Sequence, residues 1–128
     1  MLEEKKDIIE NLDERFSKDR NGFFLDYVAD DIRWNIIGKS VIVGKDNFIK
    51  AMRTQELVGI NSDGKNYPVI TIKNIIIEGE YVIVESTGKA VTKDGKPYNP
   101  AYCDIYRLKD GKIQELTTYV VENYATNL

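Results

Sequence analysis

Histidine is absent from this 128-residue chain. Its absence removes Ser-His-Asp and Cys-His catalysis and every histidine metal site at once. Cys103 is the only cysteine, so no intrachain disulfide is expected and a reducing, cytoplasmic setting is the default. Positive charge is not in excess either. Lys and Arg number 18 against 21 Asp and Glu, for a net charge of −3. With no basic stripe, the chain is not expected to bind nucleic acid. No apolar run approaches the roughly 20 residues that a membrane span needs. The start, Met-Leu-Glu-Glu-Lys-Lys, lacks the basic-then-apolar order of a signal peptide. Chemistry in such a chain falls to carboxylates, tyrosines, amides or an outside cofactor.

What is present is enough for one folded domain spanning 1–128. Hydrophobic residues make up 42% and charged residues 30%, a balance that allows both a buried core and a solvated surface. Ile8, Ile9, Leu12 and Phe16 mark one stripe of a first helix, which Asn21-Gly22 is expected to end. Phe23, Phe24, Leu25, Tyr27 and Val28 suggest a short second helix. Ile32, Trp34 and Ile36 alternate with Arg33 and Asn35 as in a strand. Gly44-Lys-Asp-Asn opens a third helix with Phe48, Ile49, Met52 and Leu57 on its buried face. Gly59 to Pro68 reads as loop. Four strands follow, Val69–Glu78, Tyr81–Thr92, Asn99–Lys109 and Lys112–Glu122, joined at Gly79-Glu80, Asp94-Gly95 and Asp110-Gly111. Short connections make an antiparallel meander. Helices first and sheet afterwards give an α+β class.

If each hairpin loop holds two residues, the register is fixed. Asn74 then faces Glu85, Glu85 faces Asp104, and Asp104 faces Thr117. Tyr102 faces Thr87 and Tyr119, and Tyr106 faces Ile83. One sheet face thus carries the polar row Asn74, Glu85, Asp104 and Thr117, with Ile72, Ile76, Ile83, Tyr102, Tyr106 and Tyr119 around it. The other face carries Val82, Val84, Ala90, Ala101, Cys103, Ile105, Leu116 and Val120. Two arrangements fit. The polar row is solvated and the apolar face meets the helices, as is usual for antiparallel sheets. Or the polar row lines a pocket under the helices, and the apolar face is covered by a second copy of the chain.

Val28-Ala29-Asp30-Asp31 ahead of the Trp34 strand, Gly44 before the third helix, Gly95-Lys-Pro-Tyr-Asn, Asp104-Ile-Tyr-Arg-Leu and Asp110-Gly-Lys-Ile-Gln-Glu-Leu follow one another in a recognisable order. In these features, and over nearly its whole length, the chain resembles the superfamily of ketosteroid isomerase, the SnoaL-like polyketide cyclases and the nuclear transport factor 2-like proteins. The resemblance implies a cone-shaped α+β fold, in which a curved antiparallel sheet packs against about three N-terminal helices and encloses a pocket. It also implies a homodimer. Asp104, ahead of Ile-Tyr-Arg-Leu, matches the aspartic acid that donates to an oxyanion in ketosteroid isomerases. Ile36 stands where their base belongs, and Leu12 lies near where their tyrosine does. The aspartate of SnoaL-like cyclases corresponds to Val121, with Glu122 next to it.

Asp104 and Glu85 are therefore the candidate catalytic pair. Two adjacent carboxyls cannot both ionise cheaply, so one would hold a proton and the other act as base. Trp34, Asn74, Tyr102, Tyr106, Thr117 and Tyr119 are the candidate substrate-binding residues. The expected chemistry is proton transfer beside a carbonyl or enol of a small apolar molecule: isomerisation, cyclisation or elimination, without metal or cofactor. The alternatives are a non-catalytic binding protein using the same pocket, and a protein-interaction domain of the same fold. No membrane partner is expected.

Overall fold

The computed structural model describes residues 2–15, 19–54, 69–91 and 97–122. Helices α1 (Leu2–Arg15) and α2 (Arg20–Tyr27) lead into strands β1 (Val28–Ile36) and β2 (Ser40–Val43), then helix α3 (Lys45–Thr54). Strands β3 (Val69–Glu78), β4 (Tyr81–Val91), β5 (Pro97–Tyr98), β6 (Ala101–Lys109) and β7 (Lys112–Val121) complete one curved sheet. Its order is β2-β1-β7-β6-β4-β3, with β5 added to β4. The sheet is mixed, because β1 runs parallel to β7 while the other pairs are antiparallel.

The helices form where the sequence supplies apolar stripes and caps. In α1, Ile8 and Leu12 fall on one face and are buried. Phe16, assigned to the same stripe, lies outside the described residues. The Asp19 carboxylate accepts the Gly22 N–H at 3.2 Å and so caps α2. A Cβ at position 22 would crowd the Asp19 carboxylate and the Arg15 guanidinium, so glycine there lets both side chains keep this cap geometry. Asn21-Gly22 thus sits in the first turn of α2 rather than ending α1. Arg15 joins the two helices, with Asp26 at 2.7 Å and Asp19 at 3.0 Å. Val28, grouped by sequence with α2, caps it in extended conformation and begins β1.

α3 starts as expected after Gly44, whose φ of +95° suits glycine. It lays Phe48 on the sheet. The Phe48 ring centroid is 4.9 Å from Trp34 and 5.1 Å from Phe24. These three aromatics join all the covering layers to the sheet, and the core continues through Ile32, Val82, Val84, Tyr106, Ile113 and Leu116. Leu57, Gly59 to Pro68 and the Asp94-Gly95 turn lie outside the described residues.

The meander β3–β4–β6–β7 has nearly the strand limits that the sequence predicts. Asp110 and Gly111 both have positive φ, 52° and 74°, the pattern of a two-residue turn whose twist matches that of the strands. Asn74 faces Glu85 as expected. The other pairings are each displaced by one residue. Ser86, not Thr87, faces Tyr102, and Ala90 faces Tyr98 on the same ladder. That ladder puts an odd number of residues between Val91 and Pro97, which a two-residue loop at Asp94-Gly95 cannot satisfy. Between β6 and β7 the register shifts after Arg107, so Asp104 faces Thr118 instead of Thr117 and Cys103 faces Tyr119. β2, short and at the sheet edge, has no counterpart in the sequence-predicted elements. No described helix is long and apolar enough to cross a membrane.

The phenols of the half-buried Tyr27 and the buried Tyr98 make stability depend on alkaline pH. Burial and the Asp7 carboxylate, which accepts the Tyr27 hydroxyl at 2.7 Å, push the Tyr27 phenol up to about 12. Burial, with Glu122 nearby, does the same to Tyr98. An unfolded tyrosine ionises near pH ~10. Between there and pH ~12 the unfolded chain has released protons that the folded chain retains, so stability falls as pH rises. Thermal melts at stepped pH should show a falling midpoint above about pH 10, and a shallower fall in Tyr27→Phe. An identical slope in that variant would remove Tyr27 from the account.

Candidate functional site

Alternation along β6 turns Tyr102, Asp104, Tyr106 and Leu108 to the inner face of the sheet. Asp104 is only 7% exposed and Tyr106 1%, while Tyr102 packs half-buried against the core. Neighbouring strands complete three rows. Val82, Tyr106, Leu116 and Trp34 form the deepest, Val84, Asp104, Thr118 and Ile36 the next, and Ser86, Tyr102 and Val120 the third. Asp104 is thus a carboxyl group set among valine, isoleucine, leucine and aromatic side chains.

A directed chain of hydrogen bonds holds it there. The Trp34 indole Nε1–H donates to Thr118 Oγ1 at 2.9 Å, and the Thr118 hydroxyl donates to Asp104 Oδ1 at 2.8 Å. An indole N–H can only donate. Thr118 must therefore accept on one side, and its own hydrogen goes to Asp104. The direction is fixed by the residue types, and the chain ties β1 through β7 to β6. In this arrangement Oδ1 is the acceptor.

The sheet separates the carboxylates that sequence reasoning places side by side. Glu85 faces Cys103 and points outward, exposed, where its Oε1 accepts a hydrogen bond from Asn74 Nδ2 at 3.2 Å. Thr117 and Tyr119 face outward with it, and Tyr119 is 46% exposed. Of the eight candidates, Trp34, Asp104, Tyr102 and Tyr106 come together on the inner face. Glu85, Asn74, Thr117 and Tyr119 stand on the other side. The cause is the one-residue displacement on both sides of β6, since paired residues share a face and a single slip reverses it.

Thr118, Ser86 and Tyr98 were not singled out from the sequence. The signal for Thr118 is legible in retrospect. Ile113 and Leu116 are both buried although three apart, a spacing that strict alternation forbids and a bulge produces. Ser86 and Tyr98 are 2% and 8% exposed, and neither hydroxyl has a hydrogen-bond partner among the described residues. Such groups cost stability until something bonds them. The raised Tyr98 phenol remains a proton donor at neutral pH. Cys103 lies half-buried on the outer face, its thiol pushed up by burial and by the neighbouring Asp104 and Glu85 carboxylates. It is not activated as a nucleophile. Arg107 forms outer-face ion pairs with Glu115 at 2.6 Å and Glu80 at 3.0 Å. Among the described residues no three acidic or thiol groups gather as ligands for a metal ion.

Removing the middle of the buried chain exposes its value. Thr118→Val keeps the shape but leaves the indole N–H without its acceptor and Asp104 without this donor. A loss of about 2 kcal/mol in denaturant unfolding is expected, with most of it regained in Thr118→Ser. Unchanged stability in Thr118→Val would mean that the chain contributes nothing.

Comparison with known proteins agrees with this architecture. The model of the SnoaL-like domain matches residues 9–116. No curated protein matches the chain. Among solved structures, an NTF2-like protein of unknown function from Cytophaga hutchinsonii superposes with a TM-score of 0.68 at 27% identity, covering 92% of this chain and 96% of its own. An NTF2-like protein of unknown function from Burkholderia pseudomallei gives 0.77 at 16% identity, covering 92% and 91%. An LEH-like epoxide hydrolase from M. tuberculosis gives 0.69 at 17% identity, covering 92% and 83%. The last two likenesses speak to the fold alone. With most of its length matched by the family model and its sheet and helices arranged as in the NTF2-like proteins, the chain belongs to the SnoaL-like family.

Proposed function

We propose that this chain binds a small, mostly apolar molecule carrying a carbonyl or enol oxygen, and that Asp104 meets that oxygen in a pocket over the inner sheet face. The observation that carries the reading is Asp104 itself: a carboxyl group on an otherwise apolar wall, oriented by Thr118 and Trp34. A buried carboxyl is expensive to keep without a use, and apolar walls with a few convergent polar groups are the usual form of a ligand site. Trp34, Tyr102 and Tyr106 supply the apolar contact. A cytoplasmic location fits the lone, unpaired cysteine.

Proton donation from Oδ2 to a carbonyl oxygen, with the α-proton leaving to solvent water, gives the enol. Enolisation is the step shared by the isomerase, cyclase and lyase chemistries that the family's members suggest, and it needs no cofactor. Among the described residues, the row beside Asp104 (Val84, Thr118 and Ile36) holds no second carboxylate. The alternative is therefore binding without turnover, with Asp104 serving as a hydrogen-bonding group only.

One substrate probe separates these. 2-Tetralone can be followed by NMR both for binding and for exchange of its α-protons in D2O. Asp104→Asn keeps a donor but cannot give up a proton, so it should hold 2-tetralone within about threefold and lose exchange above the buffer rate. Asp104→Leu should lose both. Binding without exchange in the native protein selects the non-catalytic alternative. Undiminished binding by Asp104→Leu would sink the reading.

The outer face supports the second half of the proposal, a homodimer. Ile76, Ile83 and Ile105 stand in one row across β3, β4 and β6, continued by Thr117, Asn35 and Val41 across β7, β1 and β2. The Arg107 ion pairs border this row. An apolar strip with a polar border is the form of a protein interface, and a self-complementary strip meets a second copy of itself about a two-fold axis. Light scattering at micromolar concentration should give twice 14.7 kDa, falling to 14.7 kDa in Ile105→Lys. A monomeric native protein would end this part of the proposal.

A further inference from the structure

Ser86 is the buried group on the inner face that the reading above leaves without a role. It is 2% exposed, and its hydroxyl has no hydrogen-bond partner among the described residues. Resting on the reading of Asp104 as the ligand-oxygen contact, we propose that Ser86 is a second ligand-binding residue. Its hydroxyl would bond the same ligand oxygen, so that Ser86 and Asp104 form a two-pronged clamp on one carbonyl or enolate.

The placement follows from the sheet register. Val84 faces Asp104 and Ser86 faces Tyr102, with no irregularity between the two pairs. Ser86 and Asp104 are therefore diagonal neighbours on adjacent strands and on one face. Such residues have Cα atoms about 7–8 Å apart and Cβ atoms somewhat closer. Both side chains are short, so their tips can converge on a single oxygen at hydrogen-bond distance from each. Tyr98, another buried hydroxyl without a hydrogen-bond partner among the described residues, does not compete for this role. It faces Ala90, four residues further along β4 than Ser86, about 13 Å along the strand.

Chemistry favours this assignment over a purely structural one. A serine hydroxyl can both donate and accept, so it suits a carbonyl, an enol or an enolate alike. Local backbone bonding would satisfy a structural serine, yet this hydroxyl has no such partner among the described residues. A lone carboxyl orients a ligand oxygen in one direction only. Two donors from neighbouring strands fix its position in the plane of the sheet as well, and stabilise charge that develops on it. The ligand class that follows is narrower than an apolar molecule. It is a molecule whose carbonyl or enol oxygen lies at an uncrowded edge, where two donors can reach it.

The test uses 2-tetralone and tetralin, which share a ring system and differ by the oxygen, against the native protein, Ser86→Ala, Ser86→Thr and Asp104→Leu. Ser86→Ala is expected to weaken 2-tetralone binding roughly tenfold, leave tetralin unchanged, and keep or raise the melting temperature. Ser86→Thr, which retains the hydroxyl, should restore binding. Equal 2-tetralone affinity in the native protein and Ser86→Ala, with loss in Asp104→Leu, overturns this inference and leaves the reading of Asp104 standing. The reverse pattern keeps Ser86 as a contact and overturns the reading of Asp104. A lowered melting temperature in Ser86→Ala with unchanged affinity assigns the hydroxyl to a structural water and overturns the inference. No binding of 2-tetralone to the native protein overturns both.

Discussion

One extra residue in β7 governs the geometry of the inner face. β6 and β7 leave the Asp110-Gly111 turn in the register that the turn dictates, Lys109 with Lys112 and Leu108 with Ile113, and slip by one before Arg107 meets Glu115. The slip lets Ile113 and Leu116 both point into the core. Their burial repays the local loss of ladder bonding, since bulges persist where side chains gain by being re-aimed. Beyond it, Thr118 and not Thr117 faces Asp104. Parallel pairing of β1 with β7, Trp34 beside Leu116 and Ile36 beside Thr118, then brings the indole within reach of the threonine. The buried chain from Trp34 to Asp104 depends on this displacement.

The same chain links stability to chemistry. Trp34 is a core residue by its contact with Phe48 and a polar residue by its N–H. Its ring anchors the layer formed by α2 and α3, while its donor dictates which way the Thr118 hydroxyl turns. A buried carboxyl oriented by such a chain has one oxygen held as acceptor. Low-dielectric surroundings strengthen every bond in the chain and raise the cost of losing one. The candidate site and the fold are therefore held by the same side chains, and altering the inner face at Thr118 would disturb both.

Much of the architecture was legible in the residues. The limits of β3, β4, β6 and β7, the opening of α3 after Gly44 and the Asp110-Gly111 hairpin all follow from alternation and turn chemistry. Asp104, Trp34, Tyr102 and Tyr106 were singled out because aromatic and acidic residues in β6, and a tryptophan in an alternating strand, mark a half-buried surface, and the four lie together on the inner face. Glu85 was misplaced for a reason that local reasoning could not see. Its partner across β3 was correct, but its partner across β6 required the number of residues between Val91 and Pro97, and a dipeptide such as Asp94-Gly95 does not reveal how many loop residues surround it. The Ile113–Leu116 spacing announced a bulge, yet only with the neighbouring strand in view does it tell which threonine turns inward.

The sequence by itself determined the chemical inventory and the order of elements. With no histidine and one cysteine, any chemistry would fall to carboxylates, tyrosines, amides or an outside cofactor, and the alternating runs joined by glycine turns dictate a helix-first, sheet-last α+β chain. These are local properties, set by composition, periodicity and turn stereochemistry. Which carboxyl is buried, and what touches it, was decided by tertiary structure. A side chain's face reverses with each residue of register, and register here is set by a bulge, by a loop of odd length and by the parallel docking of β1 on β7. Each of these is fixed by burial against residues distant in the chain, so that Asp104 turns inward to Thr118 while Glu85 turns out to water.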